Sequence, residues 1–211
     1  MPNELPTHQR AERRDKTRNR AKVLAAAADL FATRGVENVT VDEIAAQAGV
    51  GVGTLYRGFG DKGGLVAAIL DDRERDLQDR FLAGPPPLGP GAAAPDRIRA
   101  FLVALSRLVE HSYELLVVSE NSVAGARYRI GSYTAWRLHL ATLIRELSTG
   151  PAQHPAPHGS PADAGLLADA LLAPLAADLY RHQRRELGVS AKRIREAVLQ
   201  VADAVITTTR H

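Results

Sequence analysis

No cysteine occurs in the 211 residues, which removes disulfides, thiolate-held zinc, iron–sulfur clusters and cysteine nucleophiles together. Only histidine and carboxylate groups are left to hold a metal. Aromatic residues make up 5% of the chain and include a single tryptophan, Trp136, so indole emission reports on one place. No run of about 18 apolar residues exists, and residues 1–20 are polar and charged without the apolar stretch of a secretory signal. A cytoplasmic protein with no membrane partner is expected. The sequence also lacks a GxSxG elbow, an HExxH pair and a GxxxxGK[ST] loop, and Gly49-Val-Gly-Val-Gly53 fails the GxGxxG spacing at its third glycine with no strand before it. The expectation is therefore no enzyme, no cofactor and no bound metal. No segment sustains a period of two, which excludes a sheet of ordinary half-buried strands and leaves an all-α fold.

What is present is helical periodicity interrupted by sharp breaks. Val23, Leu24, Ala27, Leu30 and Phe31 mark a first helix over about 17–34, closed by Gly35. Thr40-Val-Asp-Glu43 is a capping box, in which the threonine hydroxyl and the glutamate carboxylate each satisfy the other's amide, so a short helix begins there. Ile44, Ala45 and Ala48 form its buried stripe and Gly49 stops it. Val52, Leu55, Tyr56 and Phe59 mark a third helix, and Asp61 caps a fourth that runs to about Leu82. The proline- and glycine-rich stretches 84–95 and 149–161 break the chain. Between them Ile98, Phe101, Leu102, Leu105, Leu108 and Val109, then Tyr133, Trp136, Leu140, Leu143, Ile144 and Leu147, restore apolar stripes. Two final segments, about 162–187 and 190–208, follow, and Pro174 is expected to kink or split the first.

Charge is unevenly spread. Residues 10–22 hold seven basic side chains (Arg10, Arg13, Arg14, Lys16, Arg18, Arg20, Lys22) against Glu12 and Asp15, an excess of 7 − 2 = +5 in a chain whose formal charge is +3. Such a cluster attracts phosphate backbones, although a solvated tail has the same composition. Three helices in about 45 residues with one tight glycine turn suit a helix-turn-helix, in which one helix crosses the phosphates while the next lies in the major groove.

The stretch from Thr40 through Glu43-Ile-Ala, Ala48-Gly-Val50, Gly53-Thr-Leu-Tyr56 and Phe59 to Lys62 strongly resembles the DNA-binding domain of the tetracycline-repressor (TetR) family. The likeness covers roughly residues 17–70; beyond it only the helical layout is similar. The resemblance implies a three-helix DNA-binding domain followed by a helical ligand-binding and dimerisation domain, divided as a basic arm (1–16), a head (17–62) and a body (63–211). By position it implies phosphate contacts from Thr40, Thr54, Tyr56 and Lys62, with Gly51, Val52, Gly53 and Arg57 facing the groove. Gly51, Gly58, Gly60, Gly63 and Gly64 depart from the family pattern, where larger polar, acidic or aromatic residues are common. They leave Arg57 for a guanine and Val52 for a thymine methyl.

For the body, the resemblance implies an effector pocket and a homodimer through the last two helices. Leu171, Leu175, Leu179, Ile194, Val198 and Val201 are the expected interface, although the same stripes would serve as the core of a monomer. Phe101, Leu105, Tyr113, Asn121, Tyr133, Trp136 and His139, aromatic or isolated polar groups on the middle helices, are the expected lining of an effector cavity; core filling is the alternative for Trp136 and His139. His154 and His158 have a metal-like spacing inside a proline-rich stretch that cannot align them. The partners expected are an operator in double-stranded DNA, a second copy and an unidentified small molecule. A ligand-independent regulator or architectural protein with the same head, and a helical carrier with an incidental basic arm, are the rival readings.

Overall fold

The computed structural model describes residues 7–120, 126–129, 131–148 and 161–209, so Asn121, His154 and His158 lie outside the described residues. Every regular element among the described residues is a helix. The chain divides into two compact units, Met1–Asp71 and Asp72–His211.

The first unit is built on α1 (Thr7–Arg34), α2 (Val41–Ala48), α3 (Val52–Phe59) and the first turns of α4 (Lys62–Ala83). α1 begins at Thr7 rather than near residue 17, because the basic stretch 10–22 is itself helix-compatible although it carries no apolar stripe. Val23, Ala27 and Phe31 of α1, Ile44 and Ala45 of α2, Leu55 of α3 and Leu65 of α4 are each no more than 2% exposed. At about 1.5 to 3 kcal/mol for each large side chain removed from water, this core holds α2 and α3, two eight-residue helices that would not persist alone. Side chains also tie α1 to α2. Arg34 donates to Glu43 Oε1 and to the Asn38 carbonyl, both at 2.8 Å, and Gln47 donates to Asp29 at 2.9 Å.

The second unit contains α5 (Ala94–Glu120), α6 (Ala126–Arg129), α7 (Gly131–Ser148), α8 (Pro161–Leu172), a 3-10 turn (Ala173–Leu175), α9 (Ala177–Arg185) and α10 (Ala191–Thr209). α5 absorbs both the stripe from Ile98 and the apolar run Leu115–Val118 into one helix, since Ile98, Phe101, Leu105, Val109, Ser112 and Leu116 keep a three-to-four spacing along one buried face. It starts one residue before Pro95, where a proline removes only an amide that the first turn leaves unpaired. Pro174 splits the next-to-last segment as expected. α8 ends at Leu172, the chain makes one 3-10 turn, and α9 restarts at Ala177.

Candidate nucleic-acid interface and body cavity

Thr40 is the N-cap of α2. Its hydroxyl accepts from the Glu43 amide at 3.3 Å, and Glu43 Oε2 accepts from the Thr40 amide at 2.8 Å. That backbone bond, with Arg34 beside the carboxylate, holds the Glu43 pKa down at about 2. The cap stays charged throughout the physiological range. Gly49 closes α2 at φ +66°, a left-handed conformation that a side chain would strain, and so sets the sharp turn into α3.

α3 buries Leu55 and turns the rest of its surface outward: Gly53, Thr54 and Arg57 are exposed, and Tyr56 is 53% exposed. Val52 is half-buried and Gly51 is the N-cap. Seven of the eight expected contact residues thus lie at the α2 cap or along α3. Arg57 folds back through its Nε onto the Gly53 carbonyl at 3.2 Å, which leaves its terminal nitrogens outward. A Cβ added at Gly53 or Gly58 would meet nothing within 4 Å. Packing within the head therefore does not demand glycine at either place, although each costs the helix up to about 1 kcal/mol against alanine.

Lys62, the eighth, is engaged differently. Its ammonium donates to the carbonyls of Val36 at 2.7 Å, Val39 at 3.3 Å and Glu37 at 3.5 Å, closing the α1–α2 loop. Gly64 also has a role the sequence conceals. The Asp61 side chain caps α4 by accepting from the Gly64 amide at 2.8 Å, and a Cβ on Gly64 would collide with the Phe59 carbonyl. Close approach to that carbonyl accounts for the glycine. Arg20 adds a contact the motif did not signal: its guanidinium sits 5.1 Å from the Phe59 ring centroid, bringing a cation of the basic stretch to the end of α3.

Among known proteins, the model of the bacterial regulatory proteins of the tetR family matches residues 23–69, the span from mid-α1 into α4. Those residues form a tetR-family DNA-binding domain. An HTH-type transcriptional regulator of Staphylococcus aureus is 42% identical over 65 residues, 31% of this chain. The match spans about a third (34%) of that relative's length. Over nearly the whole chain the likeness is one of fold. A TetR-family regulator from Streptomyces coelicolor superposes with a TM-score of 0.67 at 19% identity, covering 92% of this chain and 97% of that one. The transcriptional regulator FadR from Bacillus subtilis, solved with stearoyl-CoA, superposes at 0.64 and 17% identity, covering 86% and 96%. The tetR-family head is thus joined to a helical body of the same fold as these regulators.

In the body, the residues singled out for an effector go to three places. Phe101 and His139 pack with Phe81 of α4, the Phe81 and His139 rings stacked at 4.3 Å and Phe101 5.0 Å from His139. Leu105 and Trp136 are also buried in this body, and Tyr113 lies 5.5 Å from the Tyr180 ring. Burial, with Arg97 adding to it, pushes the His139 pKa down to about 4, and its Nε2 is buried without a hydrogen-bond partner among the described residues. Of the six that are described, Tyr133 alone borders a cavity of about 710 Å³, together with Arg127, Tyr128, Thr134, Arg137 and Asp169 and three alanines, Ala170, Ala173 and Ala176. The sequence carried one sign of it: Tyr133 and Arg137, four apart, share a face of α7.

Of the six expected interface residues, Leu171, Leu175, Ile194 and Val198 are at most 5% exposed within a single chain. They form its core. Leu179 and Val201, at 41% and 44%, stay outside with Leu166 at 65%. No helix among the described residues is long and apolar enough to cross a membrane, and no three metal-ligating side chains gather there.

Proposed function

We propose that the chain is a transcriptional repressor that binds a palindromic operator as a homodimer in the cytoplasm and is released by a small molecule. The observation that carries this is the outward face of α3: a helix held by one buried leucine presents Gly53, Thr54, Tyr56 and Arg57, in the same head as the α2 N-cap at Thr40. Hydroxyls and helix N-termini are phosphate partners, whereas Arg57 reads a base edge. Residues 17–62 act as the reading head and 63–211 as the sensing and pairing body, with the basic arm adding phosphate attraction.

A single eight-residue reading helix offers few base contacts, so two copies on a twofold axis are needed for a specific site. Exposed Leu166, Leu179 and Val201 on the last helices are the apolar positions left for that pairing. The small molecule is supported by the 710 Å³ cavity, within the usual range of ligand sites, and by the stearoyl-CoA in the FadR complex.

Selection of random duplexes by the full chain should enrich one short inverted repeat. Its association constant should fall by about 0.9 log unit per log unit of salt for each phosphate contacted. Failure to enrich any sequence, with binding indifferent to salt, would refute DNA reading altogether.

A further inference from the structure

The cavity beside α7 is framed by a polar network whose arrangement follows from the Pro174 break. A proline supplies no amide, and the 3-10 turn that follows it leaves the helix ends short of partners. Two side chains from elsewhere in the body make up the deficit. Arg127 donates to the carbonyls of Leu172 at 3.1 Å and Leu175 at 3.4 Å, while Glu120 Oε2 accepts from the Ala177 amide at 3.2 Å. The pair itself closes at 2.6 Å, with both side chains only 11% exposed. Arg127 is therefore committed to the break, with its guanidinium also 5.4 Å from the Tyr133 ring centroid.

Arg137 on the same wall is in a different position. Asp169 engages it only through Nε, at 2.8 and 3.0 Å, and its side chain is 43% exposed. Gly165 makes room for the guanidinium, because a Cβ there would press on its Nη2 end. Asp169 also accepts from the Tyr133 hydroxyl at 2.8 Å. That bond and burial, which acts more strongly, raise the Tyr133 pKa to about 12, so the phenol stays a neutral donor. Around this fixed cation stand an aromatic corner, Tyr128 edge-on to Tyr133 with 5.2 Å between centroids, and the alanine strip 170, 173 and 176.

We propose that this cavity binds a flat aromatic carboxylate, its ring against Tyr128 and the alanine strip and its carboxylate on the Nη edge of Arg137. Arg127 is already paired with Glu120, whereas Asp169 meets Arg137 through Nε alone, so the Nη edge of Arg137 is the cationic edge turned to an occupant. A planar fork suits a carboxylate better than a neutral hydroxyl. The alanines keep the strip shallow and apolar enough for a ring. Because Arg127 lines the same cavity and holds the α8–α9 break, an occupant is sensed where the two C-terminal segments meet. That last step rests on the reading of the chain as a ligand-released regulator; the binding site does not.

The test is calorimetry on the full chain with 1-naphthoate, 1-naphthylmethanol and 1-naphthylmethylamine, three probes of one shape and different charge. Naphthoate should bind at least about tenfold more tightly than the other two, R137Q should lose about tenfold, and D169N, which removes the competing negative charge, should gain several-fold. Unchanged Trp136 emission in both variants shows that the body is folded. Equal binding of the three probes, no heat with naphthoate at millimolar concentration, or indifference to R137Q in folded protein overturns the site. Naphthoate binding that depends on Arg137 but leaves the selected operator bound supports the site and overturns its regulatory role.

Discussion

Acidification from about pH 7.5 to about pH 4.5 tests the His139 environment, because the ring is half-buried between Phe81 and Phe101 with no partner for Nε2 among the described residues. Its pKa falls from the ordinary 6.5 to about 4 in the folded protein. A depressed folded value means that the unfolded chain binds the extra proton first. Stability is therefore complete above pH 6.5 and is lost as pH falls toward 4, at about 1.4 kcal/mol per pH unit. Over the whole window the loss is at most roughly 3 kcal/mol, a large share of the about 5 to 15 kcal/mol that holds a typical domain. Glu43 does not confuse the measurement, since its pKa of about 2 places its main loss of stability below that of His139. Nor does Tyr133, which contributes below pH 10 and loses its contribution only as pH climbs toward 12. The assay is urea unfolding followed by Trp136 emission, three residues from His139 on α7. H139F keeps an aromatic stack on Phe81 but cannot titrate, so the variant should lose the slope between pH 6.5 and 4.5 that the wild type shows. The same slope in both proteins would show that His139 is solvated and the stacking account wrong.

Replacing Arg57 by alanine should relax sequence preference at one position of each half-site at about 1 to 3 kcal/mol, leaving affinity for random DNA nearly unchanged; a uniform loss across sequences would make Arg57 a phosphate ligand. Gly53→Ala should stabilise the head by up to about 1 kcal/mol in thermal unfolding while weakening operator binding, since the added methyl meets nothing inside the protein and the groove outside it. A variant that gained stability and lost no affinity would remove Gly53 from the interface. Lys62→Met should destabilise the head, because three loop carbonyls lose their shared donor, and if its melting point stays unchanged the closure of that loop is unimportant. Val201→Glu should give a folded monomer by light scattering, whereas Leu175→Glu, which places a charge in the core of one chain, should unfold the body; equal behaviour of the two would contradict the division between exposed and buried stripes.

The head was readable because its determinants are local. Thr40 with Glu43, Gly49 at the turn and Asp61 before α4 each act within a few residues, so sequence spacing alone locates them. The start of α1 was not readable, since residues 7–16 form helix without the apolar stripe by which a helix is recognised. Lys62 shows the next limit. A lysine at a family phosphate position is also within reach of three carbonyls 23 to 26 residues earlier, and only the folded loop brings them there. In the body, the stripes at 171–175 and 194–198 were visible, but periodicity does not say whether a stripe faces its own chain or another. Burial within one chain answers that for four of the six. The Arg137–Asp169 pair was hidden because it joins α7 to α8, which approach only after the middle and last helices have packed.

The way the Pro174 break is satisfied also bears on modularity. A helix normally carries its backbone bonds within itself and can be moved between proteins as a piece. Here the carbonyls of Leu172 and Leu175 and the amide of Ala177 find partners 45 to 57 residues upstream. Residues 161–209 grafted onto another protein would take the break with them and leave its partners behind. Three polar groups would then be exposed to water or left unpaired, and the graft would lose the bend between α8 and α9. The segment 161–209 is consequently not a portable pairing cassette, and chimeras that exchange it must carry residues 120–127 along.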